Sequence, residues 1–270
     1  MRRIPAFIRK FSSGIVFAAF VSSAGIAGAA PPSVHIEDLT WPEVRDAIAG
    51  GATTALYYAG STEQNGPHMA TGKHNIVARH VAGRIASTLG NALVYPVLPF
   101  APTGNAAGKS GHMRFPGSVT VTDETFAAVA RDVAASARAA GFRTIVLMGD
   151  HGGGQKALEA VAALLDAQWS ASGTRVYYVP ETYFETERRV EAWLKARGLP
   201  VGAHAGLPDT SELMSIDGAE RWIRRGRLEA GDANNGVDGD PRQSSAEMGR
   251  IFVDMKVRAA VEGIRKRAAR

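Results

Sequence analysis

The sequence predicts an α/β protein, a three-layer α/β/α arrangement around a mainly parallel central sheet, and three observations carry that expectation. Short apolar runs at residues 55–59 (ALYYA), 144–148 (TIVLM) and 175–179 (RVYYV) have the length and composition of strands buried on both faces. Stretches with helical spacing of apolar residues separate them. The first two runs also end in polar or glycine-rich loops that lead into a helix, and such alternation argues for parallel strands with helices on both faces of the sheet.

In chain order, Thr40 caps a short helix that carries Pro42 in its first turn, runs to about Ala49 and stops at Gly50-Gly51. The first strand follows, then the loop GSTEQNGPHMATGKHN (residues 60–75) and a helix with Val77, Val81, Ile85 and Leu89 on one face. Gly90 and Asn91 end that helix. Residues 92–98 (ALVYPVL) read as a second strand, with Pro96 placing it at a sheet edge or a strand end. Residues 101–118 read as loop and include GHMRFPGS. Thr122 caps an alanine-rich helix to Ala140 with Phe126, Val129, Val133 and Ala137 in a stripe, closed by Gly141. The third strand runs into GDHGGG and a helix carrying Leu158, Val161, Leu164 and Leu165. After the strand at 175–179 come a helix over 185–196, a second glycine-rich loop HAGLPDTS (residues 204–211), a helix opening near Leu213, and a last helix from about Ser245, capped by Ser244 or Ser245.

The chain has 270 residues, 45% of them apolar, and no repeat, which fits one domain over residues 31–270. Residues 1–30 read as a secretory signal peptide: Arg2, Arg3, Arg9 and Lys10 precede an uncharged run that ends in Ala27-Gly28-Ala29, with cleavage near Ala29 or Ala30. The serines and glycines of that run make a poor uncleaved anchor. The expected location is periplasmic or secreted, with no stable membrane anchoring after cleavage. Losing the segment removes four basic residues and takes the formal net charge from +5 to +1, so the basic character is a targeting feature. The basic end around Arg265, Lys266, Arg267 and Arg270 has no accompanying aromatics and reads as a solvated helix end, not a nucleic-acid site. With no cysteine, disulfides, thiolate ligands and a cysteine nucleophile are excluded, and a metal would have to be held by His, Asp and Glu.

Three loops concentrate ionisable side chains: Glu63 with His74, Asp150 with His151, and His204 with Asp209. Ligands of open α/β sheets bind at the carboxyl ends of the strands, so these loops together form a candidate metal or acid/base site. His112 and Arg114 either bind substrate or order the Phe-Pro-Gly turn beside them. Asp209 is a ligand candidate and equally a helix cap. His68 reads as structural. The glycines at 152–154 lack the lysine and hydroxyl of a phosphate loop and point to close backbone packing.

The pieces LTWPEV, GSTEQNGPH, FPG, DHGGG, HAGLPDTS and GVDGDPRQSSAEMGR together resemble the creatininase (creatinine amidohydrolase) family over nearly the whole mature chain. The resemblance implies a metal-dependent hydrolase of a C–N bond in a small-molecule amide, assembled as a homo-oligomer, typically a hexamer. By the same resemblance Glu63 and His151 match metal-binding residues, His204 matches the histidine beside the reacting substrate, and Asp209 matches an additional ligand. The chain departs from the family pattern at Asn65, where the motif has a second-site histidine, at His74, where it has the aspartate bridging two metals, and at Gly153, where creatininase has a further glutamate. An imidazole offers one lone pair and cannot bridge two ions as a carboxylate does, so the second site weakens most. The expectation is therefore one divalent ion per chain, most simply zinc, with manganese or iron as alternatives. Glu63, His74 and His151 would hold it, with Asp209 or Asp150 as a fourth ligand and water in an open position. Glu63 and His204 are the expected catalytic residues, His204 moving a proton to the leaving nitrogen. Asn65 joins His112 and Arg114 as a candidate substrate-binding residue. A lactonase or deformylase using the same metal water, and a non-catalytic periplasmic binding protein, are the competing readings.

Overall fold

The structure, a computed structural model, describes residues 31–218 and 220–269, so the expected signal peptide and its cleavage point lie outside the described residues. Its elements in chain order are α1 (Trp41–Ala49), β1 (Thr54–Ala59), α2 (Lys73–Leu89), β2 (Ala92–Val94), β3 (Gly104–Asn105), β4 (Ser110–Gly111), α3 (Asp123–Ala140), β5 (Thr144–Gly149), α4 (Gln155–Trp169), β6 (Arg175–Tyr178), α5 (Phe184–Lys195), α6 (Leu207–Ile216) and α7 (Ala246–Ala268). Four strands form the central sheet in the order β2-β1-β5-β6, all parallel. β1 and β5 pair along their full length, from Thr54 opposite Thr144 to Ala59 opposite Gly149. From β1 the chain crosses to β2 on one side and returns to β5 on the other. The loops after β1 and β5 therefore part at the carboxyl edge of the sheet, which is where a doubly wound sheet opens a ligand crevice.

Side-chain alternation along the strands feeds two cores. Leu56, Tyr58, Val146 and Met148 pack against α2 and α7, while Ala55, Tyr57, Ile145 and Leu147 pack against α3 and α4. Helices thus cover both faces, as the strand composition predicts. On α3 the buried stripe falls on Phe126, Ala130, Ala134 and Ala137, with Val133 only partly buried: alanines let the helix approach the sheet more closely than the valine stripe would. On α4, Leu158, Val161 and Leu165 are buried as expected and Ala162 joins them, while Leu164 is 48% exposed.

The caps follow the sequence. Glu43 accepts from the Thr40 amide and hydroxyl, Thr122 accepts from the Thr125 amide and Ser245 from the Met248 amide, while Gly90 and Gly141 close α2 and α3 in the left-handed region. Two boundaries differ from expectation. β2 stops at Val94 because Pro96 has no amide to give the ladder, and its edge position is as expected. α6 opens at Leu207, not near Leu213, since Pro208 suits a first turn and Asp209 adds an acid there. The 101–118 loop holds a two-residue antiparallel ladder (β3 with β4) and a single helical turn over His112–Arg114. No helix among the described residues is long and apolar enough to cross a membrane.

Candidate active site

Glu63 leaves β1 into the interior, where its side chain is 1% exposed. Ser61 donates to its Oε2 at 3.0 Å, and the Glu63 amide donates to the Thr71 carbonyl, folding the loop back on itself. His74, in the first turn of α2, places Nε2 3.1 Å from Glu63 Oε1 and Nδ1 2.9 Å from Asp150 Oδ2. A carboxylate only accepts, so both ring nitrogens of His74 donate, and the ring is held between two acids as a cation. Burial and Lys73 oppose that charge, but the hydrogen bonds to Asp150 and Glu63 prevail and raise the His74 pKa above its ordinary value.

His151 follows Asp150 at the end of β5. The Gly153 amide donates to its Nδ1 at 3.0 Å, which leaves the ring proton on Nε2, 2.7 Å from Glu63 Oε2. Close packing around this turn explains the glycine run. A Cβ at Gly153 would sit 1.9 Å from the Pro102 carbonyl oxygen, and one at Gly152 would sit 2.9 Å from the Tyr183 hydroxyl. Burial opposes ionisation of Glu63, but the bonds from His151 and His74 overcome it and hold the carboxyl far below its usual range.

Two further imidazoles face the same carboxylate. His204 donates from Nε2 to the Gln64 carbonyl at 2.9 Å, leaving the Nδ1 lone pair 3.8 Å from Glu63 Oε1. His112 sets Nδ1 3.0 Å from the Gln64 side-chain amide and Nε2 3.7 Å from Glu63 Oε1. Burial, the largest cause for both, depresses their pKa values, that of His204 to about 4, so each is neutral at pH 7. Gln64 is itself fixed: its amide donates to Ser118 Oγ just beyond the Phe-Pro-Gly turn, and its Oε1 accepts from the Gly66 amide.

Behind Glu63 lies a group of charges, buried except for the partly exposed Asp209, whose lysines and Glu212 the motifs do not announce. Lys256 of α7 donates to Asp150 Oδ1 at 2.9 Å and to Glu212 Oε2 of α6 at 2.8 Å, and Lys73 of α2 pairs with Asp209 Oδ1 at 3.0 Å. Burial favours the neutral form of Asp209, yet Lys73 and neighbouring histidines hold it well below the ordinary carboxylate range. Asp209 also accepts from the Ala205 amide, so it fixes the turn into α6 as well as the lysine. Lys256 stands at the (i, i+3) or (i, i+4) position from Phe252, Val253, Ala259 and Ala260, within the buried stripe of α7. A lysine in an apolar stripe was the one legible signal for it.

A cavity of about 850 Å³ opens onto this group, lined among others by Glu63, His74, His112, His151, His204 and Tyr183. Asp150, Asp209, Glu212 and Lys256 also line it. The structure thus brings together Glu63, His74, His112, Asp150, His151, His204 and Asp209 of the expected residues. Arg114 and Asn65 lie outside the lining: Arg114 is exposed and stacks on Phe115, while buried Asn65 donates to the Glu63 carbonyl. His68 is structural, its Nε2 paired with Thr210 Oγ1 at 2.9 Å.

Glu63, His112 and His204 present one ligand atom each within 4.8 Å of one another. Ligand atoms around a tetrahedral zinc lie about 3.3 Å apart, close to the 3.7 and 3.8 Å found here. The His204 N–H given to a carbonyl is also the usual support for a metal-binding imidazole. The spacing of these three residues suits a divalent ion, with His204 presenting a lone pair, while His112, whose Nδ1 accepts from Gln64, would coordinate through Nε2 only once the Gln64 amide turned. His74 and His151 meet Glu63 at 3.1 and 2.7 Å through protonated nitrogens.

The family model described as creatinine amidohydrolase matches residues 37–264. The chain belongs to the creatininase family. Among relatives, creatinine amidohydrolase of Pseudomonas putida is 29% identical over 119 residues, which is 44% of this chain and 45% of that protein, so this match spans less than half of the relative. The mycofactocin precursor peptide peptidase of Mycobacterium tuberculosis is 30% identical over 220 residues, covering 73% of this chain and 78% of that one. A crystal structure of creatinine amidohydrolase (creatininase) has the same creatininase fold, with a TM-score of 0.72 at 22% identity over 87% of this chain and 98% of that one. Solved creatininases include a Zn-Zn type and a Mn form.

Proposed function

We propose that this creatininase-family chain is an exported, metal-dependent amidohydrolase that cleaves a C–N bond in a small amide. The observation that carries this reading is the convergence of four imidazoles on one buried carboxylate, Glu63, at the switch point of the sheet. Glu63, His112 and His204 would hold one divalent ion, and their nitrogen and oxygen donors suit zinc or manganese, with iron possible on the same donor chemistry. When bound, the ion supplies an acidified water and polarises the amide carbonyl. His151 gives its Nε2 proton to Glu63 Oε2 at 2.7 Å and so orients that carboxylate from the cavity wall. His151 and His74 keep Glu63 ionised through the hydrogen bonds they donate to it, and Asp150 fixes the His74 ring. A cavity of about 850 Å³ takes a substrate larger than creatinine, and the relatives named as peptide peptidases favour a short peptide or peptide-like amide. Export rests on residues 1–30, and a homo-oligomer, a hexamer in the simplest case, on family resemblance.

The alternative ligand set is Glu63, His74 and His151 with His204 as the proton carrier. Metal content of the mature protein and of His204→Ala, His112→Ala and His74→Ala separates the two, alongside a panel of cyclic amides, short peptides, lactones and formyl amides. The expected result is about one ion per chain, lost in the His204 and His112 variants. Loss confined to His74→Ala would select the alternative set, and no ion after reconstitution would refute metal-dependent hydrolysis.

A further inference from the structure

We infer that Lys256, together with Lys73, occupies the electrostatic place of a second metal ion, so that the chain confines divalent-ion binding to a single site at Glu63. The inference rests on the proposed metal-dependent reading and deepens it. Lys256 draws together two carboxylates from different elements, Asp150 at the end of β5 and Glu212 of α6, with oxygens 2.9 and 2.8 Å from its nitrogen. Acids gathered about one point in a buried setting are what a divalent cation would collect, and here an ammonium has done so. Lys73 neutralises Asp209 in the same way, and His74 sets one ring nitrogen against Glu63 and the other against Asp150.

The two lysines answer the acids behind Glu63: Lys256 takes up Asp150 and Glu212, and Lys73 takes up Asp209. Glu63 is the carboxylate faced by His112 and His204. A second divalent ion between Asp150 and Glu212 would have to displace the Lys256 ammonium, whose nitrogen lies 2.9 and 2.8 Å from their oxygens. The lysine is also held in place from behind: a Cβ on Gly249 would lie 1.8 Å from the Ser211 carbonyl oxygen, so α7 reaches α6 closely enough for Lys256 to meet Glu212 only because that residue is glycine.

The test is ion stoichiometry and thermal stability of the mature protein titrated with Zn²⁺ or Mn²⁺, in the wild type, Lys256→Ala, Lys256→Arg and the double variant Lys256→Met with Glu212→Gln. The expected results are about one ion in the wild type, about one more in Lys256→Ala with a larger rise in melting temperature on adding metal, and no added ion in Lys256→Arg. The double variant, which removes one acid with the lysine, is expected to fold and stay at the wild-type stoichiometry. Two ions in the wild type, a folded Lys256→Ala that takes up no more metal than the wild type, or a Lys256→Ala that zinc does not help to fold would each overturn the inference. A wild type without any ion, whose Lys256→Ala variant gains one, would sink the metallohydrolase reading while leaving the lysine inference standing.

Discussion

Replacing His74 by alanine tests whether the histidine between Glu63 and Asp150 holds the site together or merely lines it. The substitution strips the donors from Glu63 Oε1 and Asp150 Oδ2, both on side chains no more than 2% exposed. Removing one partner of a buried ion pair costs about 3–5 kcal/mol. A domain of this size loses about 2–4 °C of melting temperature per kcal/mol, so the midpoint should fall by about 6–20 °C. His204→Ala is the internal control. It gives up one hydrogen bond, to the Gln64 carbonyl, worth about 0.5–1.5 kcal/mol, and should lower the midpoint by about 1–6 °C. Calorimetric unfolding at pH 7 in the presence of a chelator reads both without a contribution from bound metal. Equal losses in the two variants, or a His74→Ala midpoint within about 2 °C of wild type, would refute the assignment of His74 as a buried cationic link.

Two further outcomes follow from the same geometry. His204 has its pKa depressed to about 4 against an ordinary 6.5, so the unfolded chain binds the extra proton first as pH falls, and stability contributed by the neutral ring is lost between pH 6.5 and 4. His74 acts in the opposite sense: its folded pKa is raised, so its contribution is full below about pH 6.5 and lost as pH climbs through the raised value. Chemical denaturation across pH 4–9 should show a shallower acid limb in His204→Gln and a shallower alkaline limb in His74→Ala; unchanged limbs would contradict the assignments. Gly153→Ala forces a methyl to within 1.9 Å of the Pro102 carbonyl oxygen, so the turn must shift. It should cost about 1–3 kcal/mol and remove activity by displacing the His151 ring, seen as a lowered midpoint with a changed His151 imidazole resonance. An unshifted midpoint with full activity would show that the turn adapts.

The sequence alone was sufficient for the parallel α/β architecture, because strands buried on both faces must be continuously apolar and the helices between them must carry stripes. β1, β5 and the caps at Thr40, Thr122 and Ser245 were legible for that reason. The loops bearing Glu63, His74, Asp150, His151, His204 and Asp209 were also legible, since polar residues beside glycines at strand ends have few other uses. His112 was visible only as an undecided residue beside a turn, and its place facing Glu63 depends on Gln64 and Ser118, which touch it through the fold. The boundary of α6 and the alanine stripe of α3 were misjudged because local propensity does not register how closely a helix packs. Lys73, Glu212 and Lys256 belong wholly to the tertiary structure. Lys256 meets an aspartate 106 residues away, and nothing local tells a lysine that it will be buried. Periodicity records which face of an element leaves water, so the sequence determined the layers, the strand-end loops and the family. Which charges share an interior depends on how distant elements dock, so only the tertiary structure decided that two lysines would pair with Asp150, Glu212 and Asp209 while four imidazoles face Glu63.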